Sequence, residues 1–334
     1  MTEAIAQRTH SVHPDQPQGK NALRFFPILG PSHEQPPYRQ LEGDALSAVK
    51  VTETSLSGSV PELKVENTLD VRVFLMDGQE LVGAKQNRIL NTDVLVPAKT
   101  TLSIPVSCVE AGRWRHVSDA FVPGKSASHT IRSRKHQRVH ESLRRDARHD
   151  ADQRAVWDEV QTSMSRACSS SPTAALHDAY DHRQKEMDAL RGLLRMPDDA
   201  VGLAVFHGPK FLGLDLFDRH STLLYFWQSL LESYAIDWLM IPQAGADAAA
   251  PEVKAVPEVL DRAAAGKWES FASPGDGRDH RLEDDRFTGS ALVWEDQVLL
   301  HLQVFPKAQD QTEAPRPAPR SRPRIRRPYT RPGG

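Results

Sequence analysis

Cysteine is nearly absent from this sequence: 334 residues carry two, Cys108 and Cys168. Two thiols make no disulfide framework, and their scarcity fits a reducing compartment. Long apolar runs are also missing. The most apolar stretch, Leu223 to Ile241, is broken by Gln228, Glu232 and Asp237. A membrane span tolerates few such groups, so the stretch reads as a buried helix. The first twenty residues lack an apolar core and show no signal-peptide pattern. A cytoplasmic protein with no membrane partner is the expectation. There is no Walker phosphate loop, no GxGxxG after a strand, no GxSxG elbow and no paired CxxC. These absences argue against the common nucleotide, hydrolase and zinc classes, and no cofactor is assigned.

What is present is globular in character. Hydrophobic residues make up 39% and charged residues 26%, and a chain of this length can bury a sizeable core. The net charge of −2 hides an asymmetry. Residues 315–334 carry seven arginines and no acid, so the rest of the chain stands at −9. The body is mildly acidic and the tail basic.

The pattern predicts an α+β protein with an antiparallel β-meander core. An inserted helical hairpin, a second β-hairpin segment and one long buried helix complete it. Residues 1–20 are expected to form a disordered arm, 21–306 one domain, and 307–334 a disordered Arg/Pro-rich tail. The meander covers residues 45–106, where Val49 and Val51, Leu63 and Val65, and Val71, Val73 and Leu75 alternate with polar neighbours. Asp77-Gly78 signals a type I′ hairpin. Residues 123–150 read as a polar, solvated, Arg/His-rich segment. Helices are expected at about 151–167, carrying Val156, Val160 and Met164, and from Ser171-Pro172 to Pro197, carrying Leu176, Tyr180, Met187, Leu190 and Leu194. Val201–Phe206 and Phe211–Phe217 form a hairpin around Gly208-Pro209. The apolar helix spans 222–240 and a short one 257–265. Asp276-Gly277 falls in a polar loop. A final hairpin turns at Glu295-Asp296.

Three constellations carry chemistry. Between two strands lies Gly83-Ala84-Lys85-Gln86-Asn87-Arg88-Ile89-Leu90-Asn91, polar where alternation should place apolar residues. Gly83 suggests a bulge or a close backbone approach. Lys85 and Arg88 suit an anionic ligand, while Gln86, Asn87 and Asn91 could read an amide or base edge. A structural polar network is the competing reading. The second constellation is Cys108-Val109-Glu110-Ala111-Gly112-Arg113-Trp114. Glu110 (or Glu80, just before the string) is the candidate general base, Arg113 an anion clamp, and Trp114 a stacking surface. Cys108 could be a nucleophile activated by His116, although an inert buried thiol is the commoner outcome. The third is Asp215-Leu216-Phe217-Asp218, whose carboxylates could hold a metal or cap a helix. His136 and His140 have the i,i+4 spacing of a zinc pair, but no other ligands lie nearby in sequence.

Residues 60–63, 77–88, 91–92, 105–110 and 112–114 together resemble a bacterial family of unknown function, the ADP-ribosylglycohydrolase- and rhodanese-phosphatase-associated proteins. The likeness runs from about residue 23, with Phe25-Phe26-Pro27, to the strand containing His301 near residue 305. The resemblance implies a role around ADP-ribose, NAD or nucleotide-derived ligands, without implying a reaction. The leading expectation is therefore a protein that binds or processes an anionic, nucleotide-related small molecule through its polar string. The alternative is a non-enzymatic interaction module whose basic tail makes weak, non-specific, salt-sensitive contact with nucleic acid or acidic partners.

Overall fold

The computed structural model describes residues 3–54, 61–110, 117–154, 156–157, 160, 180–239 and 255–307. In chain order the N-terminal part holds α1 (Glu3–His10), β1 (His13–Pro14), β2 (Gln18–Lys20), β3 (Leu23–Leu29), β4 (Tyr38–Arg39) and α2 (Ala45–Ala48). Then follow β5 (Val49–Glu53), β6 (Glu62–Asn67), β7 (Arg72–Leu75), β8 (Gln79–Gly83), β9 (Arg88–Leu90), β10 (Val94–Val96), β11 (Thr100–Cys108), β12 (Phe121–Ser126) and α3 (His129–Asp146). The C-terminal part holds α4 (Gln184–Arg191), β13 (Ala200–His207), β14 (Lys210–Phe217), α5 (His220–Leu239), α6 (Ala255–Ala265), β15 (Trp268–Ala272), β16 (Arg278–Glu283), β17 (Phe287–Trp294) and β18 (Val298–Pro306).

The α+β class stands, and the expected meander closes on itself. Strands β11-β6-β5-β12-β8-β9 form a barrel. Alternation explains its filling: Val49 and Val51, Leu63 and Val65, and Ile104 and Val106 belong to one buried cluster with Leu81, Leu90 and Phe121. A larger antiparallel sheet runs β1-β3-β13-β14-β18-β17-β16-β15, with β2 also on β3. Its two faces are buried in different clusters. Phe25, Leu203 and Val205 pack with Ile131 and Val139 of α3 and Leu223 and Leu230 of α5. Phe26, Ala204 and Leu214 pack with Ile5 of α1 and Val256, Val259 and Leu260 of α6. Adjacent Phe25 and Phe26 thus point to opposite layers, as the period of a strand requires.

Several expectations change. Residues 3–20 are not a disordered arm: Ile5 is fully buried, and Arg8 donates to the Pro31 and Phe217 carbonyls at 2.6 Å each. The Asp77-Gly78 turn is not a type I′ hairpin. Only Gly78 has positive φ, at 78°, and the Gln79 N–H bonds the Met76 carbonyl at 3.1 Å, which is type II geometry. The turn passes the chain from the small sheet β10-β7-β4 to the barrel. Asp276-Gly277 does lie in a loop, but one joining β15 and β16, two strands the sequence pattern did not reveal. Glu295 and Asp296, with φ of 49° and 59°, form the last hairpin turn.

The largest change concerns the segment expected to be solvated. Residues 129–146 form α3, capped by Ser128, whose side chain accepts from the Ile131 N–H at 3.4 Å. Its buried face carries Ile131, Arg132, Lys135, His136, Val139, His140 and Leu143. Its charged groups find partners on other elements. Arg132 pairs with Asp215 and Lys135 with Asp77. Buried charges persist only when paired in this way.

Met164, Leu176 and most of the expected helical hairpin lie outside the described residues, as do Cys168, His116 and the tail beyond residue 307. Of that hairpin's residues, Val156, Val160, Tyr180, Met187, Leu190 and Leu194 are buried. Among the described residues no helix is long and apolar enough to cross a membrane.

Candidate functional site

The polar string lies at one end of the barrel, and the structure brings it against Cys108 and Glu110. Gly83 ends β8 with φ of 140°. A Cβ there would meet Ser118 Oγ at 2.6 Å and the Ala120 carbonyl at 2.8 Å, so the close backbone approach expected of this glycine is present. Ala84 follows at φ 41°, and the chain turns back into β9, which pairs with both β8 and β11.

The side chains after that turn point inward. Gln86 Nε2 donates to the Glu110 carbonyl at 2.9 Å. The Asn87 N–H donates to Glu110 Oε2 at 3.2 Å, and Asn87 Nδ2 to Glu80 Oε1 at 3.2 Å. Asn87 Oδ1 accepts from the Gly83 N–H at 3.2 Å. Arg88 is wholly buried. Its Nη1 donates to Gln86 Oε1 at 2.9 Å and to Cys108 Sγ, and its Nη2 lies 3.7 Å from Glu53 Oε1. Lys85 is half-buried beside them. The backbone of Cys108 is clipped by one side chain: its N–H donates to Gln153 Oε1 at 2.7 Å, and its carbonyl accepts from Gln153 Nε2 at 2.8 Å.

Burial pushes the Cys108 thiol up to about 11, even though the neighbouring Arg88 pulls it down. A thiol in that state is a poor nucleophile near neutrality. Arg113 and Trp114, the expected clamp and stacking surface, lie outside the described residues. Asn91 faces elsewhere. Its Nδ2 donates to the His149 carbonyl at 2.9 Å, and its Oδ1 accepts from Ser107 Oγ at 2.8 Å.

Asp215 and Asp218 do not converge as a metal pair. Asp215 is paired with Arg132 and accepts from Tyr234 at 2.7 Å. Asp218 accepts from Tyr38 and from Arg219 Nε, the latter at 2.9 Å. Cations already neutralise both, and among the described residues no group of three or more His, Cys, Asp or Glu could hold a metal ion. His136 and His140 share a face of α3 but have different neighbours. His136 Nε2 is 2.8 Å from Asp77 Oδ2, whereas His140 Nε2 is 3.5 Å from Glu269 Oε1.

Motif reasoning missed a buried ionic junction between the barrel, α3 and the large sheet. His301 Nδ1 donates to Asp93 Oδ2 at 3.0 Å, and His301 Nε2 lies 3.4 Å from Asp215 Oδ1. Burial opposes the charge on His301, but the two carboxylates outweigh it and raise its pKa to about 9. His136 goes the other way: burial, with Lys135, Arg281 and Arg132 nearby, pushes it well below the usual histidine range. At the rim of the junction Asp279 accepts from Thr92 Oγ1 at 3.1 Å, from Arg281 Nη2 at 2.7 Å and from His149 Nε2 at 2.9 Å. Although burial favours its neutral form, Arg281 and His149 hold Asp279 well below the usual carboxylate range. The available signal was the recurrence of Arg132, Lys135, His136, Val139, His140 and Leu143 at helical spacing.

A closed barrel set on a helix-backed antiparallel sheet, with a polar string buried at the barrel's end, defines an α+β protein with an internal polar site. The chain belongs to the family of the ARG and Rhodanese-Phosphatase-superfamily-associated Protein domain, whose signature matches residues 11–305. The match starts earlier than residue 23, so β1 and β2 lie inside the family's domain. No curated protein and no solved structure matches the chain.

Proposed function

We propose that the protein binds a small anionic molecule, nucleotide- or ADP-ribose-related, at the end of the barrel that holds the polar string. The observation that carries this is Arg88. A guanidinium is wholly buried there among Gln86, Cys108 and Glu53, beside the half-buried Lys85 and the carboxylates of Glu80 and Glu110. Cations suit phosphate oxygens, and carboxylates accept from ribose hydroxyls. A ligand carrying both groups uses both signs of charge. The family's association with ADP-ribosylglycohydrolase points to the same ligand class. Because Arg88 also supports the barrel, Lys85 is the residue to alter first. Calorimetric titration with ADP-ribose, NAD and nucleotides should show binding that Lys85→Gln weakens about tenfold while leaving the thermal transition in place. Equal binding by the variant would reject the site. If turnover accompanies binding, Glu110 is the first general base to remove, ahead of Glu80.

A further inference from the structure

A second groove lies away from the barrel's end, between the barrel wall and the chain that follows α3. It has a volume of about 340 Å³, and Glu62, Ser103, Arg148, His149 and Ser273 lie along it. A hollow of about 470 Å³ lined by Gln153 and Ser107 shares Pro61 and Asp150 with it. Either volume is that of a small-molecule site.

His149 is the best-fixed side chain in this groove. Its side chain is one-tenth exposed, and its Nε2 is 2.9 Å from Asp279 Oδ2. That bond assigns the Nε2 proton to the carboxylate and leaves Nδ1 as the nitrogen available to the groove. Supports reach it from two sides. Asn91 Nδ2 holds the His149 carbonyl at 2.9 Å, and Ser107 in turn holds Asn91 at 2.8 Å. Thr92 and Arg281 hold Asp279. Asn91, the last residue of the polar string, and Thr92 after it thus position this pair rather than the barrel's end. A ring locked by such supports is arranged in advance for a contact.

The charge beside it is uncommitted. Arg144 pairs with Glu269 and Glu283, and Arg145 with Asp146. The exposed Arg148 has no ion-pair partner among the described residues. The Asp150 carboxylate is occupied by the Asp152 N–H at 3.0 Å. Ser103, Ser273 and Glu62 add hydroxyl and carboxylate groups along the same groove.

The geometry points to a sugar-phosphate site in this groove, with His149 and Arg148 contacting the phosphate oxygens and Ser103, Ser273 and Glu62 the sugar hydroxyls. Protonated at Nδ1, His149 would donate one charge-assisted bond to the phosphate while Asp279 takes the other N–H. This site is independent of the one at the barrel's end. The test is NMR of the His149 ring nitrogens in the full chain, titrated with ribose 5-phosphate, inorganic phosphate and ribose. The ring signals should shift saturably with ribose 5-phosphate. Arg148→Gln, an exposed change, should weaken that binding about tenfold. Asp279→Asn should alter the ring's tautomer signals and weaken binding, whereas Lys85→Gln should leave it unchanged. Unmoved His149 signals, or equal affinity in Arg148→Gln, would overturn the proposal. Inorganic phosphate binding as tightly as ribose 5-phosphate would overturn its sugar half. A loss of affinity in Lys85→Gln would make the groove part of the barrel-end site.

Discussion

Raising the pH through the alkaline range should loosen the junction between barrel and sheet by taking the proton from His301. The imidazolium bridges Asp93 and Asp215, and its pKa is about 9; an unfolded histidine titrates near 6.5. The folded state therefore binds the proton more tightly. Its stabilising effect is fully present below about pH 6.5 and is lost as the pH rises through about 9. A difference of about 2.5 units corresponds to about 3 kcal/mol. That is a large part of a domain's stability. The perturbation is His301→Gln, which retains an amide donor for Asp93 but carries no charge. Urea unfolding followed by tryptophan fluorescence gives the stability of both proteins across the range. The variant should be less stable by about 3 kcal/mol near pH 6, and the gap should shrink toward high pH. The ring of His301 stacks on Phe217 with centroids 4.2 Å apart, so a constant packing penalty is expected as well. Only the pH-dependent part tests the charge. A gap that stays constant from about pH 6 to pH 10 would refute the reasoning.

Other outcomes follow from the same geometry. Burial raises Asp218 to about 6 against the pull of Arg219, Tyr38 and Arg8. Its stabilising effect is full below about pH 3.9 and lost by about pH 6, and Asp218→Asn should remove about 3 kcal/mol of that pH dependence in the same unfolding assay. Cys108, with its thiol near 11, should react with an aromatic disulfide reagent at pH 8 at about a thousandth of the rate of an exposed thiolate until denaturant is added; fast native reaction would contradict the burial. Gln153→Ala leaves the Cys108 N–H and carbonyl without their partner, and thermal unfolding should show a loss of about 1–3 kcal/mol. Gly83→Ala should cost at least as much, since its Cβ would fall 2.8 Å from the Ala120 carbonyl at a φ that disfavours alanine.

Much of the candidate site was legible because its anomaly is local. A run such as Lys85-Gln86-Asn87-Arg88 between strands breaks the alternation that surrounds it, and a break of that kind can be read without coordinates. Its proximity to Cys108 and Glu110 followed from both lying at strand ends of one predicted meander. The inward hydrogen bonds of Gln86 and Asn87 could not be read, nor could the turning of Asn91 toward His149. Those depend on which way each side chain leaves the irregular segments on either side of β9. His149 and Asp279 stand far apart in sequence and match no motif, so only the pairing of β16 beside the end of α3 joins them.

The sequence by itself determined four strands of the barrel, β5, β6, β8 and β11, the β13-β14 and β17-β18 hairpins, and the apolar helix α5. In these elements the periods of apolar residues state which face is buried. Tertiary structure decided the rest. The closing strand β12, Phe121–Ser126, runs into the stretch from residue 123 that reads as polar and solvated; pairing with β8 and β5 makes it a strand. Helix α3 reads as a solvated basic segment because most of its buried positions are polar, among them Arg132, Lys135, His136 and His140. Its burial rests on Asp77 and Asp215, which are about fifty residues or more distant along the chain. Apolar burial can be read from composition, because water rejects apolar groups whatever surrounds them. The burial of charge cannot, because it depends on partners that only the folded chain brings within reach.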